Sequence, residues 1–295
     1  MDRMKILPID FSHPLVADAE LQAIFRFVKW QIKSRIFSRD FIHKWVDESK
    51  FYVKNGETGL TQNIYVGLHE FADMCFLLHL LRQEDQFIDV GANSGSYSIL
   101  AGSVIGARVL ALEPIPSTYT RLVANFNLNC IESPSATMNL GLGSLPGSLY
   151  MTSSLDTMNQ IVFDKNSVRS IQVDIKTLDM VASDLSPTLI KIDVEGWESE
   201  VIRGGFDTLR NPSLVALILE LNESGERYGY FDNDILEALN DFDFQPYTYD
   251  PFRRTLQQIS GKNPKGGNTI FIKNKEEVIR KIKTAPKREI LGKWV

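Results

Sequence analysis

The chain has 295 residues, of which 43% are hydrophobic and 23% are charged, values that are typical of globular proteins. A chain of this length can bury a sizeable core, in one large domain or two small ones. The formal net charge of −5 argues against a general nucleic-acid binder, because such proteins usually carry a basic excess.

Residues 1–60 form a predicted accessory region whose clearest feature is an amphipathic helix. Its apolar residues follow helical spacing: Leu21, Ile24, Phe25, Val28, Ile32 and Ile36. Basic residues occupy other positions of the same segment: Arg26, Lys29, Lys33, Arg35 and Arg39. A basic amphipathic helix over residues 21–39 can contact an anionic membrane surface or a partner. An apolar stripe more often packs on the protein's own core, and that is the outcome we expect.

From residue 71 onward, short apolar runs alternate with helical stretches. The pattern predicts strands over residues 87–90, 108–112, 136–142, 148–152, 171–175, 189–194, 214–221, 245–249 and 268–273. It predicts helices over residues 71–81, 96–103, 117–129, 199–209 and 235–242. This alternation is typical of α/β proteins, in which helices cover both faces of a largely parallel sheet. We predict a main domain over residues 61–274, followed by a loosely packed, lysine-rich tail over residues 275–295.

The strongest local signal is the segment FIDVGANSGSYS, residues 87–98. An apolar strand leads through Asp89 into a turn that contains Gly91 and Gly95, and a helix follows. Glycines permit positive φ and close backbone approach, and a helix start offers free N–H groups to an anion. The carboxylate of S-adenosylmethionine is such an anion, and Asp89 can balance the ammonium group of that ligand.

Glu113 ends the next predicted strand, 22 residues after Gly91. A carboxylate at this position can accept hydrogen bonds from both ribose hydroxyls of a nucleoside. The spacing also suits a nicotinamide dinucleotide, but the loop GANSG lacks the pattern G-x-G-x-x-G, and Asn93 stands at the second glycine position. The loop therefore favours a ligand without a pyrophosphate. A nicotinamide-dependent oxidoreductase and a catalytically inactive binding module of the same fold remain as alternatives.

Several segments together resemble the FkbM family of S-adenosylmethionine-dependent methyltransferases, from about residue 65 to residue 271. They are DVGANSGSYS, ALEPIPSTYTRLVANFNLN, KTLD, LIKIDVEGWESEVIRGG and LILELN. The resemblance implies a Rossmann-like, seven-stranded class I methyltransferase fold with an antiparallel last strand, here preceded by the N-terminal helical extension. It also implies O-methylation, often of sugar hydroxyls in glycans, glycolipids or natural products. The block KIDVEG carries over as Lys191, Asp193, Glu195 and Gly196, whereas Trp197 departs from the small residue that is more usual there.

On this basis we predict that S-adenosylmethionine is the cofactor and that a divalent metal, although possible, is not indicated. The predicted cofactor-binding residues are Asp89, Gly91, Ala92, Asn93, Gly95, Tyr97, Glu113, Leu142 and Asp193.

Methyl transfer to a hydroxyl requires alignment of the reacting atoms and a base that removes the hydroxyl proton. Asp193 and Glu195 follow a core strand, and Glu220 ends its neighbour, so these acids can hold a proton, a substrate hydroxyl or a cation. Glu195 can alternatively cap the next helix. His69 has a suitable unperturbed pKa of ~6.5, although it can also be a simple helix-start residue. We predict His69, Asp193 and Glu195 as catalytic residues, and Glu220, Tyr228 and Tyr230 as substrate residues.

Two further features bear on the environment of the protein. Cys75 and Cys130 have no neighbour at metal-ligand spacing, so we expect two buried free thiols. No apolar run approaches the ~20 residues that span a bilayer, and the first residues, MDRMKILPID, lack a signal-peptide core. We therefore expect a cytoplasmic protein that acts on a small-molecule or saccharide acceptor.

Overall fold

The computed structural model of the chain describes residues 9–36, 40–54, 60–152, 160–162, 170–265 and 267–295. Its α-helices are, in chain order, α1 (Glu20–Ile36), α2 (Thr61–Val66), α3 (Phe71–Leu80), α4 (Ser96–Ile99), α5 (Pro116–Leu128), α6 (Leu178–Ala182), α7 (Glu198–Arg203), α8 (Phe206–Arg210), α9 (Asp232–Asn240) and α10 (Lys275–Thr284). A π-helical turn, Leu100–Ile105, continues α4, and a 3-10 turn covers Ser224–Tyr228.

The strands confirm the predicted alternation, with some additions. They are β1 (Phe41–Lys44), β2 (Lys50–Val53), β3 (Gln86–Val90), β4 (Arg108–Leu112), β5 (Ala136–Met138), β6 (Gly141–Leu142), β7 (Gly147–Thr152), β8 (Ile161–Val162), β9 (Ser170–Lys176), β10 (Leu189–Ile192), β11 (Ala216–Glu220), β12 (Gln245–Asp250), β13 (Thr255–Gln258), β14 (Asn268–Ile272), β15 (Glu289–Ile290) and β16 (Lys293–Trp294). The run at residues 136–142 is divided between β5 and β6, which belong to different sheets.

The main sheet has the strand order β13-β12-β14-β11-β10-β3-β4-β5. The five strands from β11 to β5 are parallel, whereas β14 lies antiparallel between β11 and β12. This is the seven-stranded, Rossmann-like order of class I methyltransferases, extended at one edge by β13. The antiparallel last strand falls at Asn268–Ile272, as the family resemblance predicts.

β3 and β10 are parallel neighbours at the centre of the sheet. β4 and β5 are added on the far side of β3, whereas β11 is added on the far side of β10, so the strand order reverses between β3 and β10. The loops that follow Val90 and Ile192 therefore leave the sheet edge side by side and diverge. In open α/β sheets, ligands bind in the crevice at this point. The glycine loop occupies one side of the crevice, and the segment beginning with Asp193 occupies the other.

Alternate residues of the central strands supply two separate cores, one on each face of the sheet. One core contains Phe87, Leu189 and Ile218 and packs against α3, α5 and α10. The other contains Ile88, Ile190 and Leu217 and packs against α6, α8 and α9. Both faces of the sheet are therefore covered, which explains why these strands read as nearly continuous apolar runs.

A small second sheet with the order β6-β9-β7-β8 lies between β5 and β10 in the chain. β9 alternates exposed and buried residues over residues 172–176, as its sequence predicts for a half-buried strand. The inner face of this sheet packs Val173 and Ile175 against Ile115 and Trp197. The insertion is therefore fixed beside the carboxyl edge of the main sheet.

The N-terminal helix forms at α1, but the expectation that its apolar stripe packs on the core is wrong. Trp30 and Ala23 are buried instead, in a cluster that includes Phe51, Tyr65 and other residues around α2. Five of the six residues of the predicted stripe are exposed, namely Leu21, Phe25, Val28, Ile32 and Ile36, whereas Ile24 is half-buried. The reason is that α1 carries apolar residues on two sides, and the side with the indole fills the space between α2 and β2. Arg39 lies outside the described residues.

The C-terminal residues are not loosely packed. Val278 and Ile282 of α10 are fully buried against α3, and Ile290 and Val295 also enter the core. The buried Lys281 ammonium donates hydrogen bonds of 2.8 and 2.7 Å to both carboxylate oxygens of Asp85. The lysine-rich composition of this segment therefore belongs to an amphipathic helix and not to a tail.

Two smaller expectations also change. The helix predicted over residues 199–209 is divided into α7 and α8 at Gly204 and Gly205, since glycine is unfavourable in a helix interior. Glycine is required at residue 204, because a Cβ there would lie 2.1 Å from the Gly143 carbonyl oxygen. Cys75 is buried as expected, but Cys130 is exposed, since it follows α5 in a turn with φ of 53°. Among the described residues, no helix combines the length and apolar character needed to cross a membrane.

Candidate active site

A cavity of about 400 Å³ opens at the point where the strand order reverses. This volume lies within the range of small-molecule pockets, roughly 300–1,000 Å³. The predicted site residues that line it are His69, Asp89, Gly91, Ala92, Asn93, Tyr97, Glu113, Asp193, Glu195 and Glu220. The lining also includes residues that were not predicted as site residues: Leu60, Gln62, Glu70, Ser94, Ser96, Pro114, Ile115, Thr118, Met151, Lys191 and Val194. Of these, Lys191 belongs to the KIDVEG block.

The glycine loop is held in a conformation that requires glycine at its first position. Gly91 has φ of +76°, and an added Cβ would lie 1.9 Å from the carbonyl oxygen of Asp193. The Gly91 and Ala92 amides both donate to the Leu112 carbonyl oxygen, at 3.0 and 2.9 Å. On the other side, the Asp193 amide donates a hydrogen bond of 3.1 Å to the Val90 carbonyl oxygen, so the backbones of the two sides of the crevice are in direct contact.

Glu113 is fixed by the loop that it faces. Its Oε2 atom accepts a hydrogen bond of 3.0 Å from the Asn93 amide, and its Oε1 atom accepts one of 2.9 Å from the Ile115 amide. Burial raises the pKa of Glu113 to about 7, although these two amides act in the opposite direction. The carboxylate is therefore positioned in the pocket, with its remaining lone pairs available to a ligand.

Lys191 lies at the base of the pocket and supplies positive charge among the acids. Its ammonium group, which is buried, donates a hydrogen bond of 2.7 Å to Asp193. Burial acts to lower the pKa of Lys191, but the carboxylates of Asp193, Glu70 and Asp89 outweigh it and hold the pKa above its ordinary value. Asp89, also buried, accepts a hydrogen bond of 2.6 Å from the Ser98 hydroxyl. Lys191 therefore stays charged and partly neutralises the surrounding acids.

Asp193, Glu195 and Glu220 form an acidic group, with one carboxylate oxygen from each lying within 4.8 Å of the others. Burial and the charge of Asp193 raise the pKa of Glu195 to about 7. Burial and the charges of Asp193 and Glu195 raise the pKa of Glu220 to about 9. Such a group can share protons near neutral pH, and its oxygen atoms are also of the kind that bind Mg²⁺ or Ca²⁺.

Glu195 does not cap the next helix, because the N-cap position of α7 is Trp197 and receives no side-chain cap hydrogen bond. Glu198 accepts hydrogen bonds from the amides of Val194, at 3.0 Å, and Gly196, at 3.2 Å, through one carboxylate oxygen. Glu195 itself adopts φ of 56°, in the left-handed region, and its side chain lines the pocket. This sharp turn, fixed by Glu198, turns the Glu195 side chain away from the helix and into the site.

His69 lies on the edge of the same pocket and is exposed. Its backbone amide donates a hydrogen bond of 2.8 Å to the side-chain oxygen of Asn63, and this bond fixes the turn between α2 and α3. The neighbouring Glu70 accepts a hydrogen bond of 2.5 Å from Asn268, whose side chain also reaches Asp73 at 3.4 Å. Because Asn268 is the first residue of β14, these contacts attach the His69 turn to that strand.

The sequence of the crevice segments identifies the family of the chain. Residues 89–246 match the profile of the methyltransferase FkbM domain. The chain belongs to this family. It therefore contains an S-adenosylmethionine-dependent methyltransferase domain, and this assignment displaces the oxidoreductase alternative.

Relatives of the chain share moderate identity with it. The hexuronic acid methyltransferase AglP of Haloferax volcanii is 31% identical over 146 residues, which are 47% of this chain and 57% of that protein. Methyltransferase sdnD of Sordaria araneosa is 28% identical over 169 residues, covering 45% of this chain and 65% of that protein. The chain thus spans about three fifths of the length of these relatives. A solved methyltransferase from Agrobacterium tumefaciens is 10% identical, with a TM-score of 0.44, over 81% of this chain and 72% of that one.

Four predicted site residues are not brought into the pocket lining of this FkbM domain. Gly95 precedes α4 with φ of +92°, and Leu142, which belongs to β6, is buried in the core. Tyr228 and Tyr230 pack edge-on against Trp197, with ring centroids at 5.3 and 5.8 Å. Their hydroxyls donate to the Ile161 carbonyl oxygen at 3.2 Å and to Glu200 at 2.9 Å, so both are engaged within the protein.

The buried acids predict that the FkbM domain loses stability as the pH rises. Burial raises the pKa to about 8 for Asp73, about 7 for Glu113 and Glu198, and about 9 for Glu220. In the unfolded chain such groups titrate at about 4. These acids stabilise the folded state in their protonated form. The stabilisation is complete below pH ~4 and is lost as the pH rises through their folded-state pKa values of 7 to 9. Calorimetry of the ligand-free protein should show a melting temperature about 4–8 °C lower at pH ~8.5 than at pH ~6, for a loss of ~2 kcal/mol. A melting temperature that rises across this interval would contradict the assignment.

Proposed function

We propose that this chain is an S-adenosylmethionine-dependent O-methyltransferase whose acceptor is a sugar hydroxyl of a glycan, glycolipid or natural product. The observation that carries the proposal is the pocket itself, which combines the Glu113 carboxylate, fixed by two amides, with acids of raised pKa at Glu195 and Glu220. The first feature suits a nucleoside ligand, and the second suits removal of a hydroxyl proton.

The charge of the pocket fits this cofactor. S-adenosylmethionine, when bound, supplies an electrophilic methyl group on a sulfonium and also carries an ammonium group. The lining contains the acids Asp89, Glu113 and Asp193 against the buried Lys191, an excess of negative charge that favours a cationic ligand. The same excess would repel the diphosphate of a dinucleotide. Glu113 would hold the ribose, and Asp89 would face the ammonium group.

The chain's own residues then have two tasks, to place the acceptor hydroxyl and to accept its proton. Glu195 in its ionised form can take that proton, while Glu220, whose pKa is about 9, is protonated near neutral pH and can donate a hydrogen bond. Asp193 is a weaker candidate for the base, because its carboxylate is paired with Lys191 at 2.7 Å. His69 remains a second candidate at the pocket edge.

Support for a saccharide acceptor comes from a relative. AglP, described as a hexuronic acid methyltransferase, aligns with nearly half of this chain. The test is to incubate the protein with isotopically labelled S-adenosylmethionine and three sets of acceptors: uronic acids, neutral sugars and non-sugar alcohols. We expect label in the sugars alone. Transfer restricted to non-sugar alcohols would overturn the acceptor class but not the methyltransferase activity.

Replacement of Glu113 by glutamine tests the cofactor site directly. The Asn93 and Ile115 amides donate to different oxygens of Glu113, so glutamine, with one acceptor oxygen, leaves one of these amides facing an NH2 group. It also loses a charge-assisted hydrogen bond to the ligand, worth ~1.5–3 kcal/mol. We expect calorimetry to show S-adenosylhomocysteine binding roughly 10- to 150-fold more weakly. The melting temperature should also fall, because one buried amide loses its acceptor, at a cost of ~1–3 kcal/mol. Unchanged affinity would remove Glu113 from the cofactor site. Tight binding of NADH to the wild type, without binding of S-adenosylhomocysteine, would overturn the proposed cofactor.

A further inference from the structure

The outward face of α1 carries an apolar stripe, which we define as Leu21, Phe25, Val28, Ile32 and Ile36. Their fractional exposure runs from 43% at Val28 to 82% at Leu21. Singly exposed hydrophobic residues are normal, whereas a contiguous apolar row along one exposed helix face is typical of an amphipathic helix that docks on another surface. By helical spacing the five side chains share one side of α1 over its full length.

The helix cannot turn this stripe inward, because its opposite side is fixed. The Arg26 guanidinium donates two hydrogen bonds, of 2.9 and 2.8 Å, to the Tyr65 carbonyl oxygen of α2. The Trp30 indole packs edge-on against Phe41, with centroids 6.2 Å apart, and Ala23 is fully buried. The stripe is therefore presented permanently by a helix that is anchored to the folded protein.

Basic side chains border the stripe. Lys29 and Lys33 follow it on one side and Arg35 on the other, by their helical angles. All three are exposed. Within α1 there are four basic residues and one acid, Glu20, although the whole chain has a net charge of −5. Positive charge is thus concentrated around the apolar face of an otherwise acidic protein.

A second copy of the chain is a poor occupant for this face. A helix face of 17 residues measures about 25 by 10 Å, or ~250 Å², well below the ~800 Å² per partner of a standard interface. Pairing two such helices would also bring the basic borders of both copies together without acids to match them. An apolar stripe with cationic borders is instead the pattern of a helix lying in the plane of an anionic bilayer surface.

We infer that α1 is a peripheral docking site for anionic lipid membranes, with the apolar stripe inserted among the headgroups and Lys29 and Arg35 on the phosphates. The Lys33 ammonium lies over the Phe41 ring, 4.2 Å from its centroid, and adds positive charge nearby. This inference concerns the location of the enzyme and does not depend on which hydroxyl it methylates. α2, on which α1 packs, begins beside Leu60 and Gln62 of the pocket lining, so the docked surface lies one helix away from the active site.

The test uses the full chain and vesicles of phosphatidylcholine, with or without phosphatidylglycerol. We expect co-sedimentation with the anionic vesicles and much less with the neutral ones. The double variant Phe25→Glu/Ile32→Glu should lower the partition coefficient more than tenfold, because two inserted side chains become charged. Leu145→Glu is the matched control, since Leu145 is 76% exposed but lies outside α1, and it should bind like the wild type.

The basic border is tested separately. Lys29→Ala and Arg35→Ala should each weaken binding to anionic vesicles by about fivefold, and raising the salt concentration should reduce that difference. S-adenosylhomocysteine binding, measured by calorimetry, should be unchanged in all of these variants, which separates loss of docking from loss of the fold or cofactor site.

Three results would overturn the inference. The first is absence of wild-type binding to anionic vesicles. The second is binding by Phe25→Glu/Ile32→Glu that equals that of the wild type. The third is a wild-type dimer in light scattering that this variant converts to a monomer without any vesicle binding, which would assign the apolar stripe to a second copy.

Discussion

Replacing Gly91 with alanine is expected to abolish cofactor binding and to lower the melting temperature. The added Cβ would lie 1.9 Å from the Asp193 carbonyl oxygen and 3.0 Å from its carbonyl carbon. These are backbone atoms, which cannot rotate away as a side chain does. The residue would also need φ of +76°, which costs a non-glycine residue ~1–3 kcal/mol. The glycine loop and the Asp193 segment must therefore separate, and both line the pocket.

We expect S-adenosylhomocysteine affinity to fall more than 100-fold, equivalent to ~3 kcal/mol, with a melting temperature at least about 5 °C lower. Gly147→Ala is the matched control, because an added Cβ there would meet no atom within 4 Å, and the residue stands on the exposed end of β7. It should retain wild-type affinity and stability. Wild-type affinity in Gly91→Ala would show that the loop does not contact the ligand.

The sheet and the glycine loop are predictable because both depend on local sequence. Apolar runs such as residues 87–90 and 189–194 are recognisable as buried strands, and the turn at Gly91 follows from its position after one of them. The rule for parallel sheets then places Glu113, Asp193 and Glu220 at one edge from the sequence alone. The structure confirms that these three residues line one pocket.

The orientation of α1 is not predictable from periodicity. The helix carries apolar residues on two sides, and the periodicity of the sequence indicates an amphipathic helix without showing which side meets the core. Trp30, which is buried, lies almost opposite Leu21 on the helix, so the larger indole and not the longer stripe determines the packing. The lysines of α10 mislead for a similar reason, since Val278 and Ile282, four residues apart, carry the packing.

Two residues that shape the site require three-dimensional information. Lys191 belongs to the KIDVEG block, but its role as the buried counter-ion depends on Asp89 and Glu70, which come from distant parts of the chain. Glu198 looks like an ordinary helix residue in the sequence, whereas its carboxylate fixes the turn on which Glu195 stands. The sequence offers only one signal for this role, an acid near the first turn of a helix. Glu195 and Glu198 both fit it, so the sequence does not show which of them fixes the turn.

Replacing Glu195 with glutamine is expected to lower turnover by about 10²–10⁴-fold, the usual contribution of a positioned base. Burial and the neighbouring Asp193 raise the pKa of Glu195 to about 7. A base acts in its ionised form, so wild-type kcat should increase with pH through about 7 and then level off. Glutamine has the same shape but no accessible ionisation in this range, so the variant should lose this pH dependence along with its activity. Glu195 is not among the residues proposed to hold the cofactor. The affinity of the Glu195→Gln variant for S-adenosylhomocysteine should therefore differ little from that of the wild type.

Glu198→Gln is the control that distinguishes ionisation in the pocket from ionisation nearby. Burial raises the pKa of Glu198 to about 7 as well, but its carboxylate faces the Val194 and Gly196 amides and does not line the cavity. The amide oxygen of glutamine can still accept both of those hydrogen bonds, so this variant should keep the pH profile and most of the turnover. His69→Ala, at the pocket edge, tests the second candidate base. A loss of turnover and of the step near pH 7 in His69→Ala, with Glu195→Gln fully active, would transfer the role of base from Glu195 to His69.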